Sequence, residues 1–198
     1  NIDEGNNLVQ VVCCYHLLIA LISGMRRGEQ LQLRWQDIEF IERHVGGSDY
    51  DFVKIRVRAE TSKVRRTRVF VVKDKEYFDG LFKLLHPRIT KLHDKKLKFA
   101  DALIFSVNGE AAITVRTIDA LFDRVLDLAQ VPNRATRDLV PYSLRHYFIT
   151  QRINSGLNSI AVAEMCGTSS KQIQDTYYYK KKKKMVSNAM ADYEYKDG

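Results

Sequence analysis

Apolar positions follow different rhythms along the chain, and each rhythm predicts an element. Over residues 8–23 apolar side chains occupy nearly every helical face, with Gln10 and His16 among the few interruptions. That run predicts a central helix, stopped by Gly24. Residues 1–7 are polar and read as a linker end or a helix cap. A short second helix is expected over about 27–34, with Leu31 and Leu33 ahead of Trp35. The period then drops to two. Apolar and charged residues alternate over 37–41, 52–58 and 67–72, with Val53, Ile55, Val57 and then Val69, Val71 as the apolar set. Polar turns separate these strands, which predicts one small antiparallel sheet with a wet face. Helical spacing returns at 75–85, 88–97, 114–130, 143–155, 157–166 and 169–179, with a short apolar piece at 102–106 and a basic connector at 132–141. No internal repeat interrupts the series. The predicted class is α+β, mainly helical with a small three-stranded antiparallel sheet.

Composition narrows what such a fold serves. Of 198 residues, 45% are apolar and only 3 are Pro, which excludes disordered and fibrous classes and favours long regular elements. Lys and Arg number 32 against 24 Asp and Glu, a formal net charge of +8 that favours an anionic partner, of which nucleic acid is the commonest. The excess is concentrated. Between positions 52 and 73 stand eight Lys/Arg and one acid, Glu60, a run that reads equally as a solvated face or as a phosphate-contacting surface. The cysteines, Cys13, Cys14 and Cys166, are too few for a disulfide framework and fit no zinc spacing, so no metal is expected and a reducing, cytoplasmic compartment fits best. The run 8–22 is shorter than a bilayer span, and no signal peptide is legible, so no membrane is expected either. A start at Asn1 suggests a domain excised from a longer chain.

Several clusters carry chemistry-bearing residues. At 23–29, Ser-Gly-Met-Arg-Arg-Gly-Glu places Arg26 just past a helix-ending glycine with Glu29 three residues on. A carboxylate there can hold the guanidinium while it binds a phosphate; taken alone, the pattern reads as a helix end with a surface ion pair. In the turn at 61–63, Thr-Ser-Lys offers Lys63, a solvated hairpin tip or a proton donor to a leaving oxygen, with Arg65 and Arg66 as nearby cations. At 142–146, Tyr-Ser-Leu-Arg-His opens a helix after Pro141, an ordinary amphipathic start or an anion site around Arg145. Finally Gly-Thr-Ser at 167–169 precedes three tyrosines, 177–179, and five lysines. A tyrosine there can serve as a phosphoryl-attacking nucleophile, as a stacking platform for nucleic acid, or as packing.

Their order resembles the tyrosine recombinase (phage integrase) family over nearly the whole chain. The family's first arginine motif, Thr/Ser-Gly-Leu/Met-Arg-x-x-Glu, matches 23–29 and implies Arg26 as catalytic, Arg27 as its spare neighbour and Glu29 as its support. Its hairpin lysine falls on Lys63. Its His-x-x-Arg motif falls on Tyr142 to Arg145, with Tyr142 where the family usually has His and His146 as a packing or supporting residue. Its Gly-His motif falls on Gly167-Thr168, with Thr168 in place of His or Trp, and the nine-residue spacing from there selects Tyr177 as nucleophile. A phenol is a poor base at neutral pH, but Tyr142 and Thr168 can each hydrogen-bond a phosphate oxygen.

The resemblance implies a catalytic domain over 8–184 and metal-free DNA strand exchange through a 3′-phosphotyrosine link, with no cofactor. Arg65, Arg66, Lys180 and Lys181 would neutralise DNA phosphates. The implied partners are double-stranded attachment sites and three further copies of the chain in a tetramer, with residues 185–198 as a tail exchanged between subunits; the fragment alone is expected to be monomeric. Alternatives are a type IB topoisomerase-like nicking and closing enzyme and a non-catalytic DNA-binding module.

Overall fold

The computed structural model describes residues 2–45, 48–94 and 96–178. Helix α1 (Ile2–Ser23) runs through the middle of the fold, and residues 2–7, expected as linker or cap, form its first turns. It buries Val12, Cys13, His16, Ile19 and Ser23 at helical spacing, whereas Val11 and Leu18 are exposed, so its apolar character exceeds what packing uses. His16 sits edge-on to the Phe105 ring, 5.0 Å away. Burial, and second the charge of Arg27, push its imidazole down to about 4, so it is neutral at physiological pH.

After Gly24 comes a single helical turn, α2 (Arg27–Gln30), shorter than the 27–34 helix expected. The chain leaves it because residues 33–35 pair with 102–104: the Ile104 N–H donates to the Leu33 carbonyl and the Trp35 N–H to that of Ala102. Strands β1 (Ile38–Val45), β2 (Ser48–Val57) and β3 (Arg68–Val72) then form the predicted antiparallel sheet in the order β1-β2-β3.

The inner face of β3 differs from the expected one. Val53, Ile55 and Val57 are fully buried, but the register pairs Val53 with Val72, Ile55 with Phe70 and Val57 with Arg68. Phe70 and Val72 therefore face the core, while Val69 and Val71 are about half exposed. The run Val-Phe-Val-Val is apolar in both parities, so alternation alone does not choose its face; pairing with β2 does. Arg68 shares the inward parity. Nor is the outer face free cationic surface. Lys54 pairs with Glu39 at 2.8 Å, and Arg58 and Arg56 lie 3.1 and 3.5 Å from the buried Asp37 carboxylate.

Helix α3 (Lys75–His93) replaces the two helices expected on either side of Pro87. Proline removes one backbone donor, and the continuous buried stripe Phe78, Leu81, Leu85, Ile89 carries the helix past it. Helix α4 (Val115–Leu128), capped by Thr114, packs on α1. A second, smaller core joins α5 (Tyr142–Asn154), α6 (Ser159–Cys166) and α7 (Ser170–Ile173) through Phe148, Ile149, Ile153, Val162 and Ile173. One π-helical turn, Gln174–Tyr178, closes the described chain. The lysine run 180–184, including Lys180 and Lys181, and the tail 185–198 lie outside the described residues.

Candidate active site

Two helices end side by side, and their carbonyls build the site. Helix α1 stops at Ser23 because Gly24 turns left-handed at φ +60°, and a Cβ there would come within 2.3 Å of the Phe148 ring. Helix α6 stops at Cys166 because Gly167 does the same at φ +62°. The Gly167 N–H donates to the Glu164 carbonyl and the Thr168 N–H to that of Ala163, a Schellman closure. Carbonyls left at helix C-termini carry partial negative charge and suit cations. Arg145, from the first turn of α5, bridges both: Nη1 donates to the Gly24 carbonyl at 2.5 Å and Nη2 to that of Cys166 at 2.8 Å. It is only 4% exposed, so these bonds hold a charge that water barely reaches.

Arg26 stands between Gly24 and α2. The Glu29 carboxylate accepts both the Arg26 backbone N–H at 3.0 Å and Nη1 at 3.1 Å. Nη1 also lies 3.5 Å from the Cys166 carbonyl. Burial raises the Glu29 carboxyl, but bonds and charge from Arg68 and then Arg26 outweigh it and hold the group below the usual carboxylate range. Arg27 pairs with Asp119 at 2.9 Å and lines a cavity of about 650 Å³ whose wall also includes Tyr142 and Arg145.

Arg26, Lys63, Tyr142, Arg145, Thr168 and Tyr177 all line one cleft of about 240 Å³, together with His146, Gln172 and Thr176. Residues taken from five separate stretches of sequence thus converge. Lys63 reaches it from the turn between β2 and β3, whereas Arg65 and Arg66 are exposed on that turn outside the cleft. Tyr142 is half exposed, edge-on to the His146 ring at 5.0 Å. Tyr177, in the π-helical turn, lies against the smaller core, and its hydroxyl is 2.5 Å from His146 Nδ1. Burial, with Tyr142 second, pushes that hydroxyl up to about 12; Arg145 opposes the rise. Tyr177 is therefore a neutral phenol at physiological pH, with a ring nitrogen of His146 in hydrogen-bond contact with its oxygen.

His146 thus touches the Tyr177 hydroxyl directly. Sequence reasoning did not single out Arg68. Both of its Nη groups donate to Glu29, at 3.0 and 2.7 Å, and Nε donates to the Met165 carbonyl at 3.1 Å. The available signal was its parity: two and four residues before Phe70 and Val72, an arginine on a core-facing position requires a buried acid. The carbonyls of Gly24 and Cys166 carry no side-chain signature at all. Among the described residues no cluster of His, Cys, Asp and Glu has the makings of a metal site, and no helix is long and apolar enough to cross a membrane.

A profile of the phage integrase family matches residues 8–185. The fold matches that of solved recombinases. The XerH site-specific recombinase, in a post-cleavage complex with a palindromic difH substrate, is 20% identical with a TM-score of 0.64, over 98% of this chain and 52% of that one. XerA recombinase is 20% identical with a TM-score of 0.56, over 88% and 57%. The Tn1549 transposon integrase, bound to transposon right-end DNA, is 18% identical with a TM-score of 0.51, over 88% and 58%. The chain spans about half the length of these proteins. No curated protein sequence matches it.

Proposed function

The chain belongs to the phage integrase family, and on that premise we propose that it breaks and rejoins DNA at specific sites through a covalent 3′-phosphotyrosine intermediate. One observation carries the reading: the Tyr177 hydroxyl shares a single cleft with Arg26, Arg145 and Lys63, and is hydrogen-bonded to His146.

The chemistry follows from these groups. The Tyr177 oxygen attacks a backbone phosphorus while His146 Nδ1 takes its proton; a phenol held near 12 ionises too rarely at neutral pH to react without an acceptor. A P–O bond forms to tyrosine and the bond to the 5′ oxygen breaks. Lys63 Nζ gives that oxygen its proton, so the products are a 3′-phosphotyrosine and a free 5′-hydroxyl. Negative charge on the non-bridging oxygens is met by Arg26 and Arg145, whose orientations are set before substrate arrives. Tyr142 and Thr168 add hydrogen bonds. The phosphodiester is exchanged rather than hydrolysed, so attack by a 5′-hydroxyl of another strand reverses the step and seals the new junction. These cations supply the positive charge, and the scheme uses neither metal nor cofactor.

Double-stranded attachment sites are the substrate in this reading, paired by four copies of the chain within the DNA-bearing cytoplasm, with Arg65, Arg66 and the lysines 180 and 181 on flanking phosphates. Nicked duplexes tiling the DNA that flanks the gene, incubated with the protein, are expected to yield an SDS-resistant adduct. Tyr177→Phe is expected to abolish it. An adduct that survives this change refutes the assignment of the nucleophile, and salt-sensitive binding without any adduct refutes the catalytic reading in favour of a DNA-binding module.

A further inference from the structure

Arg26 and Glu29 by themselves make a neutral pair. A neutral pair is a weak magnet for phosphate, because the carboxylate 3.1 Å from Nη1 cancels the charge that the anion would feel. Glu29 is only 2% exposed, so water does little to screen that cancellation. The structure supplies a third charge. Arg68 meets Glu29 with both Nη groups, at 3.0 and 2.7 Å, in the forked geometry that matches two carboxylate oxygens. Arg26, Glu29 and Arg68 together carry a net +1, and of the two cations only Arg26 lines the cleft.

We propose that Arg68 is a positioning residue of the active site: by neutralising Glu29 from the sheet side, it leaves the charge of Arg26 available to an anion in the cleft. The inference rests on the recombinase reading for its consequence in catalysis, but not for its consequence in anion binding. Arg68 also connects parts of the site that are remote in sequence. Its Nε holds the Met165 carbonyl at the end of α6, one residue before the carbonyl that binds Arg145. The glycine that follows takes on a second meaning. A Cβ on Gly167 would lie 2.6 Å from Arg68 Nη1 and 2.8 Å from its Cζ. Gly167 therefore both adopts the left-handed turn that ends α6 and leaves room for this guanidinium.

Charge balance makes a prediction that a merely structural role does not. Arg68→Gln leaves Glu29 to neutralise Arg26, so affinity for inorganic phosphate, followed by NMR at the Arg26 and Arg145 side-chain N–H groups, is expected to fall about tenfold. Adding Glu29→Gln to that variant removes the cancelling charge and is expected to restore the affinity; if Arg68 only braced the fold, the second change would deepen the loss. Arg68→Lys keeps the charge with poorer geometry and is expected to stay within about threefold of the parent. A folded Arg68→Gln protein with unchanged affinity overturns the proposal, as does a double variant no better than the single one. Should Arg68→Gln not fold, Arg68→Lys decides: a tenfold loss in that folded protein also overturns it. Adduct formation measured on the same proteins separates the two claims. If the phosphate pattern holds and the parent forms no adduct, the strand-exchange reading fails and the charge balance stands; if the parent forms adduct and the phosphate pattern is absent, the reverse holds.

Discussion

The chain uses one local device twice, at Arg26-x-x-Glu29 and at Arg34-x-x-Asp37. In each, the arginine backbone N–H donates at 3.0 Å to the carboxylate three residues on. Each carboxylate is buried, and each is gripped from the sheet side by a second arginine, Arg68 on β3 or Arg58 just past β2. They differ in where the first guanidinium goes. That of Arg34 turns back to the carbonyl of Asp101 and ties the sheet edge to the 99–101 turn. That of Arg26 faces the cleft, 19% exposed, and among the described residues it has a long contact to the Cys166 carbonyl besides its own Glu29. The same clamp thus ends on a bond to a protein carbonyl at Arg34, whereas at Arg26 it leaves the cation on the wall of the cleft.

Breaking the two clamps separates these roles. Arg26→Ala is expected to slow adduct formation by about 10²- to 10³-fold, the usual worth of a preorganised charge on a transition-state oxygen, with little change in thermal midpoint. Arg34→Ala is expected to do the opposite, leaving the rate per folded molecule unchanged and costing about 1–3 kcal/mol, because the Asp101 carbonyl loses its donor. Single-turnover cleavage and thermal melting on both variants check the pair; a melting loss at Arg26 equal to that at Arg34 would erase the distinction. A smaller effect sharpens the functional half. In the proposed reaction His146 accepts the Tyr177 proton, so His146→Ala is expected to cost about 100-fold at neutral pH. Because burial and Tyr142 hold that phenol near 12, the variant's rate should then climb about tenfold per pH unit through the alkaline range as hydroxide takes over. A rate profile parallel to the parent's would show that His146 only packs.

The smallest expected effect lies at acid pH. Glu29 is held below its ordinary value by Arg68 and Arg26 against the opposing effect of burial, so the folded state binds fewer protons than the unfolded chain in this range. Its contribution is fully present above about pH 4.3 and is lost as pH falls through the lower, folded value. Glu29→Gln should therefore be less stable near neutrality and flatter on the acid limb of a denaturation series. An acid limb as steep as the parent's would mean that Glu29 is not the group responsible.

Much of the candidate site was legible because its residues lie in short motifs whose local geometry they set themselves. The glycines at 24 and 167 end their helices wherever the chain goes next, and the Arg-x-x-Glu spacing brings a carboxylate back onto its own arginine. Apolar period two predicted the sheet, and Val53, Ile55 and Val57 are buried as read. Reading by period went wrong on β3, where apolar residues of both parities leave the face to be chosen by register, and at Pro87, where a buried stripe outweighs one lost hydrogen bond. What the sequence by itself determined is the class of fold, the family and the residues that line the cleft, since these are encoded in periodicity and in spacings of a few residues. Only the tertiary structure decided that His146 meets the Tyr177 hydroxyl and that Arg68 balances Glu29. Those outcomes depend on which carbonyls and carboxylates are brought together from distant segments, and local spacing cannot encode a contact whose other half lies on another strand or helix.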